Sequence, residues 1–238
     1  MSSITIMAGP CAVENREQIE KSAEFMAKMG VKILRGGAFK PRTNPDDFQG
    51  LGEEGLILLR ATADRHNLQV ITEVMDVRDI ELVSRYADIL QVGSRNMHSS
   101  SFLKELGRQQ KPVLLKRGMS ATLDEFLQAA RYIENEGNKN IFLCERGART
   151  FQDDTRFSLN IGSIPAIKSK SDYPLIVDPS HAAGNRDYVI PMALGALAAG
   201  ADGLLIEVHP DPEKALCDSA QALSFDMFET LMEKVCKM

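Results

Sequence analysis

Six cations in this chain stand at or just after short apolar runs: Arg35, Lys40, Arg42, Arg95, Lys116 and Arg146. Packed like charges are costly unless an anion is expected. Arginine suits bidentate binding of phosphate or carboxylate, and lysine acts as a point charge. The carboxylates in matching positions, Glu73, Glu145, Asp178 and Glu207, are too few to neutralise six cations. The pattern reads as a site for one or two substrates that carry several negative charges. It does so in a protein whose net charge is -5.

A second set is Cys11, His181, Glu207 and Asp218. A thiolate, an imidazole and two carboxylates suit a divalent transition metal. No short metal motif links the four. Cys11 reads equally as a small buried hydrophobe, and His181 as a general base or a helix cap. His209 reads as a supporting group or a satisfied loop histidine, and His66 and His98 as surface residues. Cys144 belongs to the core, and Cys236 to a half-buried position on the last helix.

The elements that must position these residues follow from periodicity. Near-continuous Val/Ile/Leu runs predict eight strands: 5–8, 31–34, 69–72, 89–92, 113–115, 140–143, 175–177 and 203–206. Such runs mark parallel strands buried on both faces. Amphipathic runs between them predict helices over 17–28, 53–65, 77–86, 99–108, 123–134, 158–167, 188–198 and 224–237. Asn15 with Gln18, and Thr122 with Glu125, are spaced as capping boxes. Gly30, Gly137 and Gly200 stand where helices stop. Eight β-then-α units in 238 residues leave about 30 residues each, the spacing of a (β/α)8 barrel. No linker or composition break divides the chain, so residues 1–238 read as one domain. A doubly wound open sheet is the second reading, but the first turn has no G-x-G-x-x-G. In such barrels chemistry sits at the C-terminal strand ends, where both residue sets fall.

Composition excludes other classes. A hydrophobic fraction of 44% excludes disorder. The longest weakly polar run, residues 189–201, is too short and too interrupted for a membrane span of roughly 20 residues. The acidic balance argues against nucleic acid as a partner. No signal peptide is apparent, and the four scattered cysteines read as reduced thiols of a cytoplasmic protein.

The segments AGPCAVE, LRGGAFKPRT, GSRNM, LLKRG, LCERG, VDPSHAAG and IEVHPDPEKALCDSAQAL occur in this order along the chain. Together they resemble the metal-dependent 3-deoxy-D-arabino-heptulosonate 7-phosphate (DAHP) synthases, type I beta subgroup. The resemblance implies condensation of phosphoenolpyruvate with erythrose 4-phosphate, the first step of the shikimate pathway. It implies one divalent ion (Mn2+, Fe2+, Co2+ or Zn2+) on Cys11, His181, Glu207 and Asp218. Phosphoenolpyruvate would meet Arg35, Lys40, Arg95 with Ser94, Lys116 and Arg146. Erythrose 4-phosphate would lie along Lys40, Pro41, Arg42 and Thr43, with Asp178 near its hydroxyls. Lys40 would serve the developing alkoxide, and Glu73 or Glu145 would position the attacking water. The related 3-deoxy-manno-octulosonate 8-phosphate synthases, which use arabinose 5-phosphate, carry a K-A-N-R-S type sequence where this chain has Lys40-Pro41-Arg42-Thr43.

Two other functions fit parts of the pattern: a Schiff-base aldolase using Lys116, and a non-catalytic subunit that binds phosphometabolites. The 238 residues are not expected to include the ferredoxin-like or chorismate mutase regulatory domains of some relatives. The first strand starts near Met1, so the bottom of the barrel is expected to be partly open or covered by a neighbour. With the resemblance, this predicts a homo-oligomer, a tetramer ahead of a dimer.

Overall fold

The structure is a computed structural model and describes residues 4–238. Eight strands appear where the apolar runs predict them: β1 (Thr5–Gly9), β2 (Ile33–Arg35), β3 (Gln69–Val74), β4 (Ile89–Val92), β5 (Val113–Lys116), β6 (Ile141–Glu145), β7 (Leu175–Val177) and β8 (Gly203–Glu207). All neighbours pair in parallel. β1 pairs with β8, which closes the barrel in sequence order. Side chains alternate between two environments, as the pleat requires. Met7, Ile33, Ile71, Ile89, Leu114, Cys144, Ile176 and Leu205, one from each strand, form the plug inside the barrel. Their neighbours Ala8, Leu34, Leu90, Leu115, Leu143, Val177 and Ile206 pack outward against the helices.

The helices are α1 (Arg16–Lys28), α2 (Glu53–Arg65), α3 (Ile80–Tyr86), α4 (Ser100–Gly107), α5 (Leu123–Glu134), α6 (Ser163–Lys168), α7 (Pro179–Ala183), α8 (Arg186–Ala198) and α9 (Phe225–Val235). Thr122 and Glu125 form the reciprocal capping box. Asn15 accepts from the Gln18 amide as expected, but the Gln18 side chain reaches Ala12 and Glu14 instead of Asn15. Two expectations change. The helix predicted over 158–167 begins only at Ser163, because Ser158 is held in an antiparallel bridge with Ala148. The short α7 was not expected. Asp178 caps it by accepting from the His181 amide, Pro179 opens it, and Gly184 at φ 67° ends it in the left-handed region.

The plug residues are at most 8% exposed, with Phe142 half-buried beneath them. Within one chain the plug fills the barrel, and Phe142 is left partly exposed at its lower end. Among the described residues no helix is long and apolar enough to cross a membrane.

Candidate active site

Alternation along the strands decides which strand-end residues enter the barrel mouth. Counting in twos from the plug, Gly9 and Cys11 follow Met7, Arg35 follows Ile33, and Glu73 follows Ile71. Lys116 follows Leu114, Arg146 follows Cys144, Asp178 follows Ile176 and Glu207 follows Leu205. Glu145 has the other parity. It points to the helix layer, where it accepts from Arg117 Nη1 at 2.7 Å, Ser163 Oγ at 3.0 Å and the amides of Arg146 and Gly147. It is fully buried. Every lone pair is engaged, so Glu145 anchors the strand-end turn and has no free oxygen for water.

The mouth holds a cavity of about 550 Å³. Lys40, Pro41, Arg42 and Thr43 line one wall. Glu73, Ser94, Arg95, Lys116 and Arg146 line the rest, with His181 and Asp218 at one end. Arg35, Asp178, Glu207 and Cys11 lie beneath this lining and hold it. The sequence reading missed Asp47, Met119, Arg149, Arg156 and Phe157, which also line the cavity. All five lie in loops, beyond the reach of a count along strands.

Several cations meet acids. Arg35 donates to Glu207 at 2.6 Å, and both are buried. Lys116 pairs with the fully buried Asp178. Arg42 pairs with Asp47 at 3.1 Å, an acid outside the expected four. Three of the six have no carboxylate partner. Lys40 Nζ sits 2.9 Å from Cys11 Sγ and 3.1 Å from the Cys11 carbonyl. Arg95 reaches only the Pro41 carbonyl, at 3.2 Å. Arg146 is 5% exposed, and its Nε and Nη1 have no hydrogen-bond partner. Its guanidinium lies over the Phe157 ring, 3.9 Å from the centroid. Burial pushes its pKa down, against the attraction of Asp178. A buried guanidinium with idle donors is expensive unless a ligand completes it.

Glu73 is half-buried, and Gln91 Nε2 donates to it at 3.2 Å. Its carboxylate occupies the space that a Cβ at Gly93 would need: such an atom would lie 2.1 Å from Oε1. Glycine at the end of β4 therefore lets Glu73 reach the cavity.

Beside the anion wall, one ligand atom each from Cys11, His181, Glu207 and Asp218 falls within 4.8 Å of the others. Opposite ligands on one first-row ion, with bonds of ~2.0–2.3 Å, stand about 4–4.6 Å apart. The four fit one ion with small adjustment, and their mixed softness suits a divalent transition metal better than magnesium or calcium. His181 turns Nε2 toward Glu207 Oε1 (3.4 Å) and Asp218 Oδ2 (3.6 Å), and Nδ1 toward Asp178 Oδ2 (2.7 Å). Nδ1 makes no hydrogen bond there; Asp178 holds the residue through Oδ1, which accepts from the His181 amide. Burial lowers the His181 pKa, which keeps the ring neutral at pH 7. Burial opposes ionisation of Asp178 and Glu207, but His181 and the nearby cations outweigh it and hold both below the usual carboxylate range. The Cys11 thiol is pushed up, first by its hydrogen bond with Cys217, 3.2 Å away, then by burial and by Glu207.

The remaining thiols and imidazoles are accounted for. His209 is buried, with Nδ1 accepting from Asp211 and Nε2 facing Glu14 at 3.4 Å. His66 ends α2, half-buried, and His98 is exposed. Cys144 is inside the plug, and Cys236 is exposed rather than half-buried, because α9 ends beneath it.

The profile of the DAHP synthetase I family matches residues 2–238. A Thermotoga maritima protein named phospho-2-dehydro-3-deoxyheptonate aldolase is 51% identical over 98% of this chain and 69% of its own length. A crystal structure of the phospho-2-dehydro-3-deoxyheptonate aldolase (DAHP synthase) of Thermotoga maritima superposes with a TM-score of 0.97 at 50% identity, over 99% of this chain and 69% of that one. A 2-dehydro-3-deoxyphosphooctonate aldolase of Desulfatibacillum aliphaticivorans is more distant, at 30% identity over 98% of this chain and 90% of its own. Barrel, cavity and sequence agree along the whole described chain, which belongs to the DAHP synthetase I family.

Proposed function

We propose that this chain, as a single catalytic barrel, condenses phosphoenolpyruvate, erythrose 4-phosphate and water to DAHP and phosphate. The observation that carries the reading is the buried Arg146 with two unpartnered nitrogens, on the wall of a cavity that ends at four converging metal donors. Cys11, His181, Glu207 and Asp218 would hold one divalent ion, drawn from Mn2+, Fe2+, Co2+ and Zn2+. When bound, such an ion supplies Lewis acidity to a carbonyl oxygen.

The chain's own residues supply the rest. Arg146, Arg95 and Lys116 hold the carboxylate and phosphate of phosphoenolpyruvate, whereas Arg35, expected among them, lies below the cavity and holds the metal donor Glu207. Arg42 and Thr43 hold the phosphate of erythrose 4-phosphate. Holding two anions together converts a repelling encounter into an oriented one. C3 of phosphoenolpyruvate attacks the aldehyde carbon, and the new alkoxide takes a proton. Lys40 Nζ suits that donation: burial works against its charge, but Cys11 and Cys217 in their thiolate form, with Glu207, outweigh burial and raise its pKa, so it stays an ammonium. Water then adds at C2, and phosphate leaves with C–O cleavage. Glu73 is the carboxylate with an oxygen free to position that water. Asp178 is committed to Lys116 and His181 and does not line the cavity. It acts by orienting His181. The same ion pair speaks against a Schiff base on Lys116, which needs a free amine.

A cytoplasmic setting goes with the four scattered cysteines, which show no paired spacing. The family likeness supports a homo-oligomer, a tetramer ahead of a dimer, which light scattering at low micromolar concentration tests. The activity itself is tested by phosphate release from phosphoenolpyruvate. Release should require erythrose 4-phosphate, vanish after metal stripping and return with added metal. Equal turnover of arabinose 5-phosphate, or full activity of the stripped protein, would defeat the proposal.

A further inference from the structure

Each of the two acidic donors presents one oxygen to the centre and has the other held. Asp218 turns Oδ2 toward Cys11 Sγ (3.3 Å) and His181 Nε2 (3.6 Å). Its Oδ1 accepts from Arg156 Nη1 at 3.2 Å. Glu207 turns Oε1 toward His181 Nε2 and Arg35. Its Oε2 accepts from Gln221 Nε2 at 2.6 Å. The same Arg156 Nη1 donates to Gln221 Oε1 at 2.9 Å. One guanidinium nitrogen therefore joins the holders of both carboxylates.

The backbone of Arg156 is tied to the third donor's element. The amides of Arg156 and Phe157 donate to the carbonyls of Ala183 and Ala182 in α7, which carries His181. The fit there is tight: a Cβ on Gly184 would lie 2.5 Å from Arg156 Cβ. A simple surface pair would hold little, since exposed ion pairs lose most of their attraction to water and side-chain entropy. Arg156 differs because Gln221, its second acceptor, is only 2% exposed and spans to a fully enclosed carboxylate.

We infer that Arg156 is a positioning residue for the metal site: through Asp218 Oδ1, and through Gln221 to Glu207 Oε2, it fixes both carboxylates as single-oxygen ligands aimed at one point. The inference rests on the proposed metal reading of Cys11, His181, Glu207 and Asp218. Loss of a group that orients a metal ligand typically costs 10- to 100-fold in metal affinity.

The test is metal affinity measured without substrate, by competition of the full-length protein against a chromophoric chelator for Zn2+ and for Co2+. Arg156→Gln should raise both dissociation constants about 10- to 100-fold. Arg156→Lys, which keeps one donor to one of the two acceptors, should recover part of the loss. Gln221→Met, which keeps the stem and removes both polar contacts, should weaken binding in the same way and decides the matter if Arg156→Gln does not fold. Variants that melt lower without metal yet bind Zn2+ and Co2+ as tightly as the parent would overturn the inference, because Arg156 would then serve only the fold. A parent protein that binds neither ion would instead overturn the metal reading beneath it.

Discussion

Arg146 should be a residue whose removal stabilises the empty protein while destroying its binding. Its Nε and Nη1 are buried and have no protein partner. Each buried unsatisfied donor costs about 1–3 kcal/mol, so two cost about 2–6 kcal/mol. The stack on Phe157 returns about 0.5–2 kcal/mol. Attraction from Asp178 adds little, because Lys116 and His181 already meet that carboxylate. Arg146→Met keeps the stem and removes the idle donors. A net gain of about 0–5.5 kcal/mol, centred near 3, follows, and at roughly 2–4 °C per kcal/mol for a chain of this size the central value raises the melting temperature by about 6–12 °C. Binding should move the opposite way. Two lost charge-assisted contacts at about 1.5–3 kcal/mol each weaken phosphoenolpyruvate about 10²- to 10⁴-fold. Phosphoenolpyruvate at a hundred times its dissociation constant stabilises the parent by about 2.7 kcal/mol, whereas the variant at that concentration should show no shift. Differential scanning fluorimetry with and without phosphoenolpyruvate reads both effects. A variant that melts at or below the parent, or still shifts with phosphoenolpyruvate, would refute the view that Arg146 is held ready for an anion.

Replacing Arg42 and Thr43 with alanine should raise KM for erythrose 4-phosphate roughly 10- to 150-fold, one charge-assisted contact, and leave KM for phosphoenolpyruvate within a fewfold; equal effects would mean that the two anion sites are divided wrongly. Glu73→Gln should lower kcat with little change in melting temperature. Glu145→Gln should lower the melting temperature instead, since it leaves the buried Arg117 guanidinium short of its counter-charge; the reverse pattern in steady-state kinetics and melting would exchange their roles. Mild peroxide should join Cys11 and Cys217, two thiols giving one disulfide as peroxide is reduced to water, with loss of bound metal. Cys217→Ser should prevent the joined peptide in a non-reducing digest, and a parent digest without that peptide contradicts it.

The fold was legible because parallel strands buried on both faces leave an uninterrupted apolar run, and eight such runs occur. The least legible stretch was the β6–α6 connection. Residues 158–162 carry helix-compatible side chains, but the Ala148–Ser158 bridge claims their backbone for a loop, and that bridge joins positions ten apart in sequence. The missed α7 was different. Asp178-Pro179 with Gly184 five residues on is a complete start and stop signal, overlooked because the helix is a single turn and a half.

At the mouth, residue types alone could not separate Glu73 from Glu145. Both stand at strand ends, and both are glutamates beside cations. Parity separates them. Leu143 packs on the helix side, so Glu145 must as well, while Ile71 in the plug sends Glu73 inward. That count needs only the strand register, and it also brings Gln91 onto the inner face as the donor to Glu73. No such count could reach Arg156. Its role depends on Gln221 and Asp218, more than sixty residues away, meeting over α7. The same holds for Asp47, which answers Arg42 from five residues along a loop. Charge counting therefore overstated the excess at Arg42 and understated it at Arg146, where the nearest acid in sequence, Glu145, points the other way. An anion site is recognised here by a buried cation whose neighbours have turned their acids elsewhere, and the number of cations matters less than that.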